Sequence, residues 1–209
     1  MFTNLKFDLL TFNLIFFSYI IGSISNAILL SNCLKLPDPR TMGSNNPGTT
    51  NMLRIGGKKV AAIVFILDLA KGLLPVYLAK WLNMQDLVIA TVTIAVFIGH
   101  LFPIFFKFQG GKGVATTLGI MLAICWQLAL LVLIAWILIF MLFRISSLAA
   151  LSASCVAIIL CSFNLCLTNK PFEISQELSN CIIILSILII LKHKENIKKL
   201  LNNTENLFM

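Results

Sequence analysis

Between two apolar stretches the chain reads FFKFQGGKGVATTLG, residues 105–119. Three glycines surround Lys112, and a helix-like run begins at Val114. Glycine accepts positive φ at little cost, so the backbone N–H groups of Gly110, Gly111 and Gly113 can converge on an anion. The following helix adds its own free N–H groups and the positive end of its dipole. A lysine there is unfavourable unless something negative lies beside it. The chemistry expected is the binding of a phosphate or carboxylate. A nucleotide P-loop is excluded by spacing, because Phe106 and Gly113 stand where that motif needs Gly and Ser or Thr.

Two other segments carry the same residue types: DPRTMGSNNPGTTNMLRIGGKK (38–59) and KHKENIKKLLNNTE (192–205). A single polar connector is ordinarily a solvated turn. Three of them, each rich in Asn, Lys or Arg, make a polar site for an anion if they meet on one face. Asp68 and Lys71 fall inside an apolar run at i, i+3. Each is costly in a bilayer, by about 2.5–3.5 kcal/mol, so they should pair or face a polar interior. A structural ion pair and a substrate role weigh equally for them. His100 reads as a hydrogen-bonded core histidine.

What must position these residues is a membrane scaffold. The 209-residue chain is 59% hydrophobic and 11% charged, with mean hydropathy +0.97, against about 25% charged in soluble domains. Apolar runs predict helices near 9–30, 60–79, 87–106, 114–126, 128–143, 147–167 and 178–192, with a basic helix around Asn196–Leu201 after the last. The run 114–143 is divided at Trp126–Gln127, being too long for one span. The first run is too long for a signal-peptide core and lacks a cleavage site. The fold expected is all-α: one polytopic membrane domain, 1–209, with seven transmembrane helices.

With the amino terminus outside and the carboxyl terminus cytoplasmic, 12 basic residues lie in inner segments. Only Lys6, Lys80 and Lys170 lie in outer ones, and Lys71 lies within a span. Topology then accounts for the net charge of +8, and no nucleic-acid partner is needed. The six cysteines lack metal-ligand spacing and sit mainly in apolar runs, so neither disulfides nor zinc are expected. No metal and no cofactor are predicted.

GSNNPGTTNMLR (43–54), DLAKGLLPV (68–76) and GHLFPIFFKFQGGKGVATTLG (99–119) resemble, in order and spacing, signature motifs of the bacterial acyl-phosphate:glycerol-3-phosphate acyltransferases, the PlsY family. YIIGSISNAILLS, RISSL and HKENIKKLLNNTE resemble that family too, so the likeness covers nearly the whole chain. It implies transfer of a fatty acyl group from acyl phosphate to the 1-hydroxyl of glycerol 3-phosphate, the first step of phospholipid synthesis. The products would be lysophosphatidic acid and phosphate. It implies seven transmembrane helices with a cytosol-facing site. A bacterial cytoplasmic (inner) membrane location, a monomer and an acyl-phosphate-forming partner enzyme are the accompanying expectations.

By the same resemblance Lys112, with Gly110, Gly111 and Gly113, holds the acyl phosphate, and Thr50 and Asn51 complete that pocket. Ser44 and Arg54 match positions assigned to glycerol 3-phosphate. His193 and Asn196 match paired positions near the carboxyl terminus, and Ser147 a serine after the fifth span. Lys112, Ser44, Arg54 and Asn196 are the candidate catalytic set. The chain departs from the family pattern at Asn45 (usually Gly), Thr49 (Ala), Ser25 (Pro), Ala150 (Ser), Lys199 (Arg) and Asn203 (Gly). Asn45 can still adopt the left-handed conformation. The His-x-x-x-x-Asp pair of acyl-CoA enzymes is absent after both His100 and His193, where Phe105 and Lys198 stand. A transporter for a phosphorylated anion is the competing function, and an inactive scaffold the third.

Overall fold

The computed structural model describes residues 9–167 and 171–205. Lys6 and Lys170, two of the residues assigned to outer segments, lie outside the described residues. Among the described residues the secondary structure is helical, without strands. The helices are α1 (Leu9–Gly22), α2 (Asn26–Cys33), α3 (Thr49–Trp81), α4 (Asp86–Leu101), α5 (Val114–Ile124), α6 (Trp126–Phe143), α7 (Ser146–Cys166), α8 (Gln176–Lys192) and α9 (Lys194–Leu201), with a 3-10 turn at Ile104–Phe106.

Every apolar run becomes helix, but the breaks differ from those expected. The first run bends by 46° between α1 and α2, and the last bends by 56° between α8 and α9. The long run 114–143 divides at Cys125, one residue before the expected position. The basic tail helix is present as α9. Among the described residues, four helices are long and apolar enough to cross a membrane, or up to six spans if each bent pair counts as one. The fourth expected span, α5, has 11 residues. At ~1.5 Å per residue it covers about half of a ~30 Å hydrocarbon core.

The largest revision is at the start of α3. Residues 49–59, read as loop, are helical and run into the apolar span across a break at Gly57, where φ is +77°. Glycine alone adopts that conformation cheaply, so the chain turns at Gly57 without ending the helix.

Packing places α4 at the centre, touching α1, α3, α5 and α8. Its span is 61% buried, whereas that of α6 is 17% buried and presents apolar side chains outward. Val92, Val96, Phe97 and Leu101 of α4 meet Ile120, Leu128, Ile182 and Leu185 in one core. Two helix crossings depend on glycine in both partners. A Cβ at Gly22 would strike Val96 O, and one at Gly99 would strike Tyr19 O. The α3–α5 crossing repeats this, with Gly72 against Thr116 O and Gly119 against Leu69 O. Small residues let membrane helices pack backbone to backbone.

Asp68 and Lys71 do pair, at 2.8 Å and almost fully buried. Asn26 donates to Asp68 at 2.8 Å, and Lys71 donates to Ile24 O at 2.8 Å, so the pair also fastens the α1–α2 bend to α3. Lys80, assigned to an outer segment, donates to Ala123 O and Ile124 O and caps the end of α5. All six cysteines are free; Cys125, Cys161 and Cys181 are buried, while Cys33, Cys155 and Cys166 are exposed.

Candidate active site

The three polar segments meet around a cavity of about 760 Å³. Its mouth is formed by the loop before α3, the Lys112 turn, the start of α7 and α9. Its depth is walled by Leu118 and Met121 of α5, Leu133, Trp136 and Phe140 of α6, and Ala150, Ala153 and Ala157 of α7. A polar entrance thus opens on a largely apolar groove, which Thr117, Ser154 and Ser186 also line.

Three helices begin at this entrance. Gly48, Thr49 and Thr50 of α3, Gly113, Val114 and Ala115 of α5, and Ser146 and Ser147 of α7 all line it. None of the three has a side-chain cap, so their first N–H groups are left for a ligand. Three positive dipole ends facing one volume favour an anion strongly. Arg54, Lys112, Lys192 and Lys199 add cationic side chains to the lining.

The anion cradle therefore differs from the expected glycine nest. Gly113 has φ +85°, and a Cβ there would strike the Phe97 ring, so both conformation and space require glycine. Gly110 and Gly111 do not line the cavity and lack positive φ. The Gly111 N–H is already bonded to His100 O at 3.2 Å, and a Cβ at Gly110 would collide with the same carbonyl. Those two glycines let the loop lie against the end of α4 and thereby place Lys112. His100 is buried and held at 3.2 Å by Thr116 Oγ1, as expected of a core histidine, though it also touches the cavity.

Thr50 and Arg54 are four apart on the first turns of α3 and share the face toward the cavity. Asn51 lies on the other side and is fully buried. Its amide donates to Pro39 O and Met42 O, each at 2.9 Å, and its carbonyl oxygen accepts from the Ser44 N–H at 2.9 Å. Asn51 is placed to shape the loop that presents Ser44, outside the cavity lining. Gly43 and Asn45 complete the turn in the left-handed region, so the Asn45 departure keeps the loop's shape. Asp38 and Arg40 brace its outer edge at 2.6 Å, and that guanidinium holds the Asp38 carboxyl below its usual range.

Across the mouth, Lys112 donates to Asn196 Oδ1. The Asn196 amide donates to Glu205 at 2.7 Å, and Ser147 donates to the same carboxylate oxygen at 2.9 Å. Burial pushes the Lys112 ammonium down to about 8; Glu205 opposes this, and Lys199 and Arg54 reinforce it. His193 lines the cavity beside them, its ring Nδ1 2.8 Å from Ile189 O. Glu205 was not among the residues singled out from sequence. It returns to the site because Asn203 is left-handed and Thr204 N–H bonds Lys199 O at 2.8 Å, folding the chain back after α9. No group of three or more His, Cys, Asp or Glu side chains suited to a metal occurs among the described residues.

Of the candidate residues, Ser44, Thr50, Arg54, Lys112, Gly113, Ser147, His193 and Asn196 are brought together on one cavity. Comparison with known proteins places the chain as a whole. A sequence profile described as glycerol-3-phosphate acyltransferase matches residues 12–203. A glycerol-3-phosphate acyltransferase of Francisella tularensis subsp. holarctica is 42% identical, covering 95% of this chain and 93% of the relative. One of Methylococcus capsulatus is 43% identical, covering 92% and 93%. The crystal structure of PlsY, an integral membrane glycerol 3-phosphate acyltransferase, in its glycerol 3-phosphate form superposes with TM-score 0.86 at 36% identity, covering 95% of this chain and 96% of that one. Its lysophosphatidic acid form gives TM-score 0.82 at 34% identity, covering 95% of each. A helical membrane scaffold, a polar mouth over a largely apolar groove and this likeness along nearly the full chain lead to one assignment: the chain belongs to the glycerol-3-phosphate acyltransferase family.

Proposed function

We propose that this glycerol-3-phosphate acyltransferase takes its acyl group from an acyl phosphate and transfers it to the 1-hydroxyl of glycerol 3-phosphate. The observation that carries this reading is the shape of the cavity, whose mouth holds more cationic than acidic side chains and whose depth is largely apolar. A substrate with a phosphate head and a hydrocarbon tail matches both parts, and a second phosphate fits the remaining donors at the mouth. The competing transporter is not favoured, because the relatives are acyltransferases.

Acyl phosphate is a mixed anhydride with a good leaving group, so the protein's task is alignment and charge neutralisation. Lys112, Gly113, Thr50 and the starts of α3 and α5 hold the acyl phosphate and the charge that develops on its leaving oxygen. Arg54 and Ser44, presented by Asn51, hold glycerol 3-phosphate with His193 and Ser147. Asn196 orients Lys112. The glycerol oxygen attacks the acyl carbon, and its proton passes to a phosphate oxygen of the glycerol 3-phosphate. Inorganic phosphate leaves and lysophosphatidic acid remains.

The setting is one domain, residues 1–209, in the bacterial inner membrane, with the amino terminus outside and the cavity mouth facing the cytosol. The grouping of basic residues near the mouth supports that orientation. The short α5 serves as the seventh membrane segment beside the six longer ones. The chain acts as a monomer and receives acyl phosphate from the enzyme that makes it.

Purified protein in detergent, given acyl phosphate and radiolabelled glycerol 3-phosphate, is expected to yield lysophosphatidic acid, and acyl-CoA is expected to yield none. Product from acyl-CoA but not from acyl phosphate would sink the donor assignment.

A further inference from the structure

Thr116 and Thr117 are neighbours near the start of α5, both buried, with opposite surroundings. Thr116 Oγ1 meets His100 Nδ1. Thr117 is 3% exposed and lines the cavity, yet its Oγ1 has no hydrogen-bond partner among the described residues. A buried hydroxyl left unpaired disfavours folding. A helical threonine usually bonds the carbonyl four residues back; here Gly113 O takes the Thr117 backbone N–H at 2.8 Å while the hydroxyl stays unpaired. An orphan of this kind at a substrate cavity points to a partner that arrives with the substrate.

Its height on the helix says which atom that is. Val114, Thr117, Leu118 and Met121 line the cavity at helical spacing, and Thr117 is the one polar side chain of α5 that does so. It stands about 4.5 Å along the axis from Val114, at ~1.5 Å per residue. In an acyl phosphate the carbonyl carbon is joined to phosphorus through a single bridging oxygen. With the phosphate at Lys112 and the chain along Leu118 and Met121, the carbonyl reaches the level of Thr117. Helical threonine has two accessible χ1 rotamers, so its hydroxyl can turn toward the cavity when an acceptor is present.

We infer that Thr117 is a further catalytic residue, donating its Oγ1–H to the acyl carbonyl oxygen; this rests on acyl phosphate being the donor. As the glycerol oxygen bonds to the acyl carbon, the carbonyl π pair moves onto oxygen, and Thr117 bonds the resulting oxyanion. Collapse re-forms the carbonyl and breaks the bond to the bridging oxygen. That oxygen leaves with its electron pair as inorganic phosphate, and the hydroxyl proton ends on the phosphate of glycerol 3-phosphate.

The test compares wild type, Thr117→Val and Thr117→Ser on palmitoyl phosphate and octanoyl phosphate, with unfolding temperatures measured alongside. Thr117→Val, which keeps the shape and removes the donor, is expected to lower kcat about 10²-fold on both substrates, as loss of one oxyanion donor does. KM for glycerol 3-phosphate should not change, and Thr117→Ser should stay near wild type. Wild-type kcat in Thr117→Val would overturn the inference. So would equal losses in the Val and Ser variants, or a loss confined to KM or to the longer donor, since packing alone explains those. A wild type active only on a different donor overturns the donor assignment, and this inference with it. A wild type active on acyl phosphate beside an unimpaired Val variant overturns this inference alone.

Discussion

Lys112 is the residue on which the site turns. It sits in a partly buried mouth, bonded to Asn196 and near Glu205, with Lys199 and Arg54 adding repulsion. Lys112→Ala should reduce kcat/KM by about 10²-fold or more, the scale of losing one preorganised donor to a developing charge; normal turnover in that variant would remove Lys112 from the mechanism. The pH dependence has a definite sign. With the ammonium pushed down to about 8 in the free enzyme, kcat/KM should fall as pH rises through that region, because the neutral amine cannot hold phosphate. Bound phosphate favours the charged form, so the falling limb of kcat should lie at higher pH than that of kcat/KM. A pH–rate series on wild type and Lys112→Arg checks this, since the arginine variant should lose the limb. Lys112 stood out in the sequence because a lysine among glycines at a helix start needs an anion beside it, while Ser44 and Arg54 stood out only through the resemblance to the family's first motif. Glu205 was not, because its place depends on a turn at Asn203 that brings it back over the mouth.

Helices place these groups through their ends. The starts of α3, α5 and α7 share one cavity, and the loop before α3 hangs on Asn51. Asn51→Ala removes one buried and two partly buried hydrogen bonds, worth about 2–3 kcal/mol together. It should lower both the unfolding temperature and kcat/KM, although Asn51 does not line the cavity. An Asn51→Ala enzyme with unchanged melting and unchanged kcat/KM would show that the loop is held by something else. The α3–α5 crossing is tighter still. Gly119→Leu would drive a side chain into Leu69 O, and folded protein recovered after detergent extraction should drop sharply. Leu138→Ala on the outward face of α6, which is 54% exposed, should leave recovery unchanged. Hydropathy placed the helices to within a few residues but missed the helical start at Thr49. Residues 49–59 are polar and rich in glycine, and they become helical because Gly48 O accepts the first backbone bonds while Asn51 ties the turn down.

At the scale of the molecule, the cavity is a groove between α5, α6 and α7, and its depth sets what tail fits. Below Ser146 and Ser147, the α7 wall is formed by Ala150, Ala153, Ser154 and Ala157. Ala153→Phe would fill the middle of the groove. It should cut kcat/KM for long-chain acyl phosphates by about tenfold or more while sparing short ones, in line with what a few methylenes are worth in an apolar pocket. A series of donors of increasing length on wild type and variant measures this, and equal losses at every length would place the acyl tail elsewhere.

The sequence by itself determined that the chain is a helical membrane protein whose polar residues gather in three segments between apolar runs. Hydrophobic length, charge sidedness and the glycine–lysine motif are local properties, and each can be read along the chain. Tertiary structure decided which helix starts point at the same volume, that Gly110 and Gly111 shape the loop while Gly113 lines the cavity, that Asn51 supports Ser44, and that Glu205 and Thr117 belong to the site. Those facts depend on distances between segments far apart in sequence. Such distances are set by helix crossings that only the packed backbone fixes.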